Sequence, residues 1–214
     1  MVQAILSGSK TMTRRIMKPQ IRCDHLSFTE APWKNDPTTW SKSEDGGYGE
    51  GWFCSLCGNG VQYNGHGIKC PYGKIGDVLW VRETSAITVS SGPSNKLTRW
   101  YKADNPVIPP NVKFKWKPSI FMPKGSCRIK LEITGIRVER LVSISWEDCR
   151  DEGIERSSDA SGHTWYKNYA EKEPYNYKDP KGSFMSLWTK INGEKSWYEN
   201  PWVWVISFKK INHV

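Results

Sequence analysis

Ile5-Leu6-Ser7-Gly8-Ser9-Lys10-Thr11-Met12-Thr13-Arg14-Arg15 changes its periodicity halfway along, and the rest of the architecture can be read outward from that change. Val2 to Leu6 followed by Ser7-Gly8 reads as a short helix closed by a glycine. Thr11, Thr13 and Arg15 then alternate as in a strand, which predicts that the three share one pleat face. Lys10 falls at the helix-to-strand corner, where its long stem could bring the amine back towards the Thr13 hydroxyl. A threonine hydroxyl is a poor nucleophile until a neighbouring base takes its proton, and lysine is such a base only where burial or nearby cations lower its pKa. Arg14 and Arg15 supply cations at that place. On the residues alone, a basic strand carrying a structural threonine accounts for the pattern more readily than catalysis does.

Further along, Gly76-Asp77 marks a turn, and Val78-Leu79-Trp80-Val81-Arg82, Thr98 to Tyr101 and the run from Ser126 to Arg140 are rich in strand formers. Ser145 is a good N-cap with Asp148 three positions on, Glu147 suits the positive helix end, and Gly153 is placed to stop the helix. Phe184 to Ile191 predicts another helix, ended by Asn192-Gly193, and Trp202 to Lys209 a closing strand. Short strands with few helices give an α+β class or a decorated barrel. Residues 155–182, rich in Ser, Asp, Lys, Tyr and Pro, read as an exposed excursion, and no internal repeat is present.

The 214 residues suit one compact domain, and 37% hydrophobic with 25% charged residues is a composition that folds. With 12 Trp, much of the buried surface must come from large flat side chains. The longest apolar run, Trp202 to Ile206, is far short of the ~20 residues that a membrane helix needs. With no charged-then-apolar leader, a cytoplasmic protein without a membrane partner is expected. Lys and Arg outnumber Asp and Glu by 31 to 22, and the resulting +9 favours polyanions, with nucleic acid the first suspect. The basic residues are dispersed: Arg14, Arg15 and Lys18 form one group, Lys113, Lys115 and Lys117 alternate, and Lys209 and Lys210 lie near the C-terminus.

Six cysteines in a chain without a secretion signal argue for reduced thiols or a metal before disulfides. Cys54 and Cys57 form a Cys-x-x-Cys turn, Cys70 follows in Lys69-Cys70-Pro71-Tyr72-Gly73, and Cys23 precedes them in Arg22-Cys23-Asp24-His25. Four thiolates would enclose a structural zinc tetrahedrally and brace a polar, glycine-rich stretch that has little core of its own. His25 or His66 could replace Cys23, the weakest member of the set. Cys127 and Cys149 read as ordinary core thiols, and His163 and His213 as surface residues.

Gly8-x-Lys10-x-x-Thr13-x-Arg15 resembles the signature Gly-x-Lys-x-x-Glu-x-Arg of the ASCH domain, a member of the PUA-like superfamily. Threonine in place of the glutamate is what the small bacterial amidohydrolases acting on N(4)-acetylcytidine look like in this motif. The likeness extends to Gly76-Asp77-Val78-Leu79-Trp80-Val81-Arg82-Glu83 and to the closing Trp204 to Lys209. With Trp116-x-Pro118-Ser119-Ile120 and Cys70-Pro71-Tyr72-Gly73, the chain also resembles longer ASCH proteins of phages and prophages. Such proteins usually begin with a strand ahead of the first helix, whereas here Met1-Val2 already lies in that helix. Either the start is internal, or a barrel edge is left for another segment to cover. The resemblance implies an ASCH or PUA-like β-barrel with flanking helices, which fits the α+β class read from the strands, and the cysteine spacing adds a zinc-binding insertion. The resemblance also implies a single domain over residues 1–214, with insertions at about 20–75 and 155–182.

By the same resemblance the catalytic set is Lys10, Thr13 and a helical glutamate that falls on Glu152, with Glu147 and Glu155 as neighbours in register. Lys10 would take the Thr13 proton, Thr13 would attack the amide carbonyl of an acylated base, and Glu152 would manage protons at the departing amine. Arg15 would orient the substrate or steady the oxyanion, and Trp80, Arg82 and Glu83 would line the substrate site, Trp80 or Trp100 stacking on a base for ~1–3 kcal/mol. Zinc held by four thiolates has no open position for water and is assigned to folding. The expected partner is a modified nucleoside or nucleic acid, RNA rather than DNA, in the cytoplasm of a bacterial host if phage-encoded. Two other classes stay open: a non-catalytic RNA- or DNA-binding module, and an ASCH-type ribonuclease.

Overall fold

Four strands, β1 (Met12–Ile16), β11 (Trp202–Ile211), β7 (Lys130–Arg140) and β4 (Val78–Trp80), pair in that order as one antiparallel sheet. The sheet curls into a half-barrel carrying few helices, an α+β arrangement. The computed structural model describes residues 1–18, 20, 40–42, 52–54, 69–89, 97–107, 114–170 and 175–211. The long β7–β11 ladder runs from Trp202 opposite Arg140 to Ile211 opposite Lys130, with a bulge at Ser207/Phe208. An extra residue at a bulge bends its strand and increases the twist, which helps the sheet to close on itself.

β11 is central because both of its faces are apolar: Trp202, Val203, Trp204, Val205 and Ile206 are all buried. One face carries Val203 and Val205 beside Met12 of β1, packed with Leu141, Ile144, Cys149, Phe184 and Trp188. The other carries Trp202, Trp204 and Ile206 with Ile133, Val138 and Met17. Phe208 continues the core under α1 (Val2–Leu6) with Ile5, Ile129 and Leu131. A row of five buried side chains on one strand puts well over 5 kcal/mol of apolar transfer into this element, at about 1.5–3 kcal/mol for each large residue.

The helix over the first face, α2 (Trp146–Asp151), has the expected cap, with the Ser145 hydroxyl accepting from the Asp148 N–H at 3.1 Å. Gly153 follows it at φ +80°. α3 (Pro180–Asn192) begins four residues ahead of the expected Phe184, because Asp179 caps it through Gly182 N–H and Pro180 fits its first turn. A short α4 (Lys195–Tyr198) follows. The Ser126 to Arg140 run forms a strand only from Lys130, since Lys124–Ser126 folds as a 3-10 turn. β5 (Ser85–Val89) pairs with β6 (Leu97–Tyr101) as a separate hairpin.

Residues 155–182 contain a small meander in which β9 (Thr164–Lys167) lies between β8 (Arg156–Ser158) and β10 (Tyr175–Tyr177). Asp159 ties its turn by accepting from the Ser161 and His163 N–H groups and from Trp165 Nε1, each at 2.9 Å. Ser183 and Lys190 donate to the carbonyls of Lys167 and Tyr169, so α3 holds the meander against the core. β2 (Trp40–Lys42) and β3 (Trp52–Cys54) pair within the expected zinc region. Cys23, His25, Cys57 and His66 lie outside the described residues, as does the Cys54 side chain. His213 does so too. Among the described residues no helix is long and apolar enough to cross a membrane.

Candidate functional site

Lys10 and Glu152, far apart in the chain, meet because the corner after α1 and the end of α2 form an isolated antiparallel bridge. The Thr11 N–H donates to the Asp151 carbonyl at 2.8 Å, and Lys10 N–H donates to Ala4 at 2.9 Å, which fixes both backbones. The Lys10 Nζ then lies 2.6 Å from Glu152 Oε2 and 2.8 Å from the Glu152 carbonyl oxygen. The ammonium thereby caps the C-terminal end of α2, where the helix dipole favours positive charge. Gly153 makes the approach possible. A Cβ there would sit 2.9 Å from Lys10 Cβ and 3.2 Å from Ala4 Cβ, and its positive φ is itself a glycine conformation.

The pair joins a larger buried network. Arg14 donates to Glu139 Oε1 through Nε at 3.1 Å and NH2 at 2.5 Å, to Asp148 at 2.6 Å, and to Glu152 Oε1 at 3.5 Å. Arg137 pairs with Asp148 and with Glu139, and carries the network to the surface with a side chain 39% exposed. Three cations thus face three carboxylates, and among the described residues no buried side-chain polar atom lacks a hydrogen bond. Such saturation is what makes a low-dielectric charge cluster tolerable.

Burial is the largest influence on Lys10 and pushes its pKa below the ordinary 10.5. Glu152 acts against that through its charge and hydrogen bond, while Arg15 and Arg14 lower it further. For Arg14, burial opposes the charged form, but Glu139, Glu152 and Asp148 together outweigh it and raise the pKa. The arrangement brings an ammonium and a carboxylate into direct contact in a nearly dry setting, a donor and acceptor suited to moving a proton.

Thr13 is placed differently from Lys10. In β1 it alternates with buried Met12 and Arg14, so its side chain leaves the opposite face of the sheet from the network. Among the described residues its hydroxyl makes no hydrogen bond, to Lys10 or to any other group. Arg15 shares the Thr13 face and is exposed.

The other expected site residues lie along the segment after β4. Arg82 stacks over Trp80 with 4.7 Å from Cζ to the ring centroid. Glu83, 1% exposed, accepts from Arg128 Nε at 2.9 Å and NH2 at 2.8 Å, so both its oxygens serve a structural ion pair. Arg128 also reaches Asp104 and lies 4.0 Å over Tyr101. Trp100 is tied by its Nε1 to the Thr88 hydroxyl at 2.8 Å. Cys70 is half-buried against the Trp204 side of the core, where burial raises its thiol pKa while a backbone hydrogen bond from Tyr72 lowers it. Among the described residues no three His, Cys, Asp or Glu groups form a metal cluster. Cys149 is fully buried, and His163 is a surface residue 3.6 Å from Asp159.

Sequence reasoning missed Arg137 and Glu139, and it read Arg14 only as a nearby cation and Asp148 only as part of a helix cap. The signal was present: in β1 Arg14 occupies the period-2 slot of Met12, and in β7 Glu139 occupies the slot opposite Val203. A charged residue on a core-facing slot must find partners.

No protein-family model, no curated protein and no solved structure matches the chain.

Proposed function

We propose that this chain is an ASCH-like protein of the PUA-like superfamily that hydrolyses an amide on a modified base such as N(4)-acetylcytidine, with Lys10 and Glu152 as its proton-handling pair. The observation that supports this reading is the burial of the Lys10 ammonium against the Glu152 carboxylate at 2.6 Å, two of the three residues on which the resemblance places the chemistry. In the simplest balanced scheme Glu152 takes a proton from water, whose oxygen bonds to the acyl carbon while Lys10 stabilises the oxyanion. The carbon–nitrogen bond then breaks, and the proton passes to the departing exocyclic amine, leaving acetate and cytidine. Thr13 takes no part in this scheme, because its side chain leaves the other face of β1.

Acetate release from N(4)-acetylcytidine tests it, with Lys10→Met, Glu152→Gln and Thr13→Val compared as folded proteins. The first two should lose turnover and the third should keep it. Full activity in either of the first two overturns the reading. An acetylated Thr13 trapped on the wild-type protein would instead restore the threonine as nucleophile.

The saturated, charge-balanced network favours a second reading, a non-catalytic nucleic-acid-binding module in which the same residues only tie β1 to α2. Binding without any turnover would select it. A zinc on Cys23, Cys54, Cys57 and Cys70 belongs to the same proposal and would brace the insertion without entering the chemistry. One zinc per chain by elemental analysis, lost in Cys57→Ser, is the expected result.

A further inference from the structure

Phe114-Lys115-Trp116-Lys117-Pro118-Ser119-Ile120-Phe121-Met122 forms a strap that neither the sheet nor the Lys10–Glu152 centre uses. It is anchored at Lys117 and at Met122. Lys117 and Ser85 exchange two main-chain hydrogen bonds, at 2.8 and 3.2 Å. Met122 is buried, its sulfur accepting from the Glu83 N–H at 3.0 Å. Between these anchors a 3-10 turn at Ser119–Phe121 turns Ile120 and Phe121 outward, 67% and 70% exposed. Arg82, lying over Trp80, donates to the Ile120 carbonyl at 3.4 Å and so joins this turn to a cation and a second aromatic ring. Phe114, also exposed, meets Trp116 edge-on at 5.4 Å.

Phe114, Ile120 and Phe121 are exposed together on one short strap, and clustered apolar side chains, unlike singly exposed ones, mark an interaction surface. Their surroundings decide the partner. Lys115, Lys117 and Lys124 are exposed, and neither they nor Arg82 pairs with a carboxylate among the described residues. The nearby acids, Glu83 and Asp104, are both taken by Arg128. Flat rings interleaved with uncompensated cations, on a chain with a net charge of +9, match a partner that offers bases and phosphates in alternation.

We propose that the strap 114–122, with Trp80 and Arg82, is a docking surface for single-stranded nucleic acid. Phe121 and the Trp80–Arg82 stack take bases, and Lys115 and Lys117 take phosphates. A duplex keeps its bases stacked inside and cannot use the rings, so the surface discriminates between single and double strands. The inference rests on these side chains and not on the amide chemistry, so it stands or falls separately from turnover.

Fluorescence anisotropy with labelled twelve-residue oligo-uridine, oligo-thymidine and a duplex of equal length tests it on the full chain between 50 and 200 mM salt. The expected result is tighter binding of single strands than of duplex. Phe121→Ala, at an exposed position, should weaken single-strand binding by roughly 5- to 150-fold, the range for loss of one base stack, and leave the salt slope unchanged. Lys115→Ala with Lys117→Ala should reduce the slope of log affinity against log salt by about 1.4, two phosphates at about 0.7 each. Equal binding of duplex and single strand, or wild-type affinity in Phe121→Ala, overturns the proposal. So does a dimer in sedimentation that dissociates in Phe121→Ala without nucleic acid, which would make the strap a contact between copies of the chain.

Discussion

Removing the Glu152 carboxylate is a perturbation whose effect can be worked from the structure. In Glu152→Gln the Lys10 ammonium keeps its bond to the backbone carbonyl at 2.8 Å but loses the carboxylate at 2.6 Å. Both side chains are almost fully enclosed, at 4% and 6% exposure, so bulk water compensates poorly for the lost partner. Breaking a buried pair from one side costs about 3–5 kcal/mol, and a chain of this size shifts by about 2–4 °C per kcal/mol, so Tm should fall by about 6–20 °C. Lys10→Met should cost a similar amount. The double variant Lys10→Met/Glu152→Leu removes both charges and leaves Arg14 with Glu139 and Asp148, so it should recover at least about 2 kcal/mol relative to the sum of the singles. Urea unfolding followed by tryptophan fluorescence supplies the cycle. Strictly additive losses would refute the claim that the two groups act as a pair.

The same lysine sets a pH dependence. Burial holds the Lys10 pKa below 10.5, so the folded protein gives up this proton before the unfolded chain does. Between the folded value and 10.5 the unfolded state binds more protons, and stability from this group therefore rises with pH across that alkaline window. The stability difference between wild type and Lys10→Met should move in that direction, and a fall over the same window would contradict the assignment.

Gly153→Ala should destabilise by about 2 kcal/mol or more, since it combines a left-handed backbone with a Cβ placed 2.9 Å from Lys10 Cβ, and turnover should fall with it; thermal melts and the acetate assay check both. Cys149, its thiol pushed up to about 12 by burial, should resist alkylation in the native state, as peptide mapping after brief iodoacetamide treatment would show. Because that folded value lies above the ordinary 9.0, the Cys149 contribution to stability should be intact below pH 9 and decline as pH rises towards 12, measured against Cys149→Ala. Glu83→Gln should cost about 1.5–3 kcal/mol through the weakened Arg128 bonds and leave the KM for substrate unchanged, since both carboxylate oxygens already serve Arg128.

Much of the local architecture was legible because short signals act locally. Ser145, Asp148 and Gly153 set the ends of α2 within a single turn, and the apolar run from Trp202 located the central strand. The α3 start was misjudged because hydrophobic periodicity begins at Phe184 while the cap, Asp179, lies in a polar stretch. Alternation around Thr13 was read correctly as a pattern, but a pattern does not say which face the helices cover. That depends on α2 packing beside Met12 and Val205, a tertiary outcome. For the same reason Arg14 looked like a neighbouring cation when it is the centre of the buried network. The convergence of Lys10 with Glu152 came from the resemblance, since 142 residues of separation leave no periodic trace. Cys23 and Cys57, expected as zinc ligands, lie outside the described residues, and Thr13 as nucleophile rests on the motif rather than on the geometry.

The most direct measurement is chromatographic conversion of N(4)-acetylcytidine to cytidine by wild type and by Lys10→Met/Glu152→Leu, the latter shown to be folded by its near-ultraviolet circular dichroism. The account predicts multiple turnovers by the wild type and none by the folded double variant. Equal conversion by both would show that the buried pair is only a brace between β1 and α2.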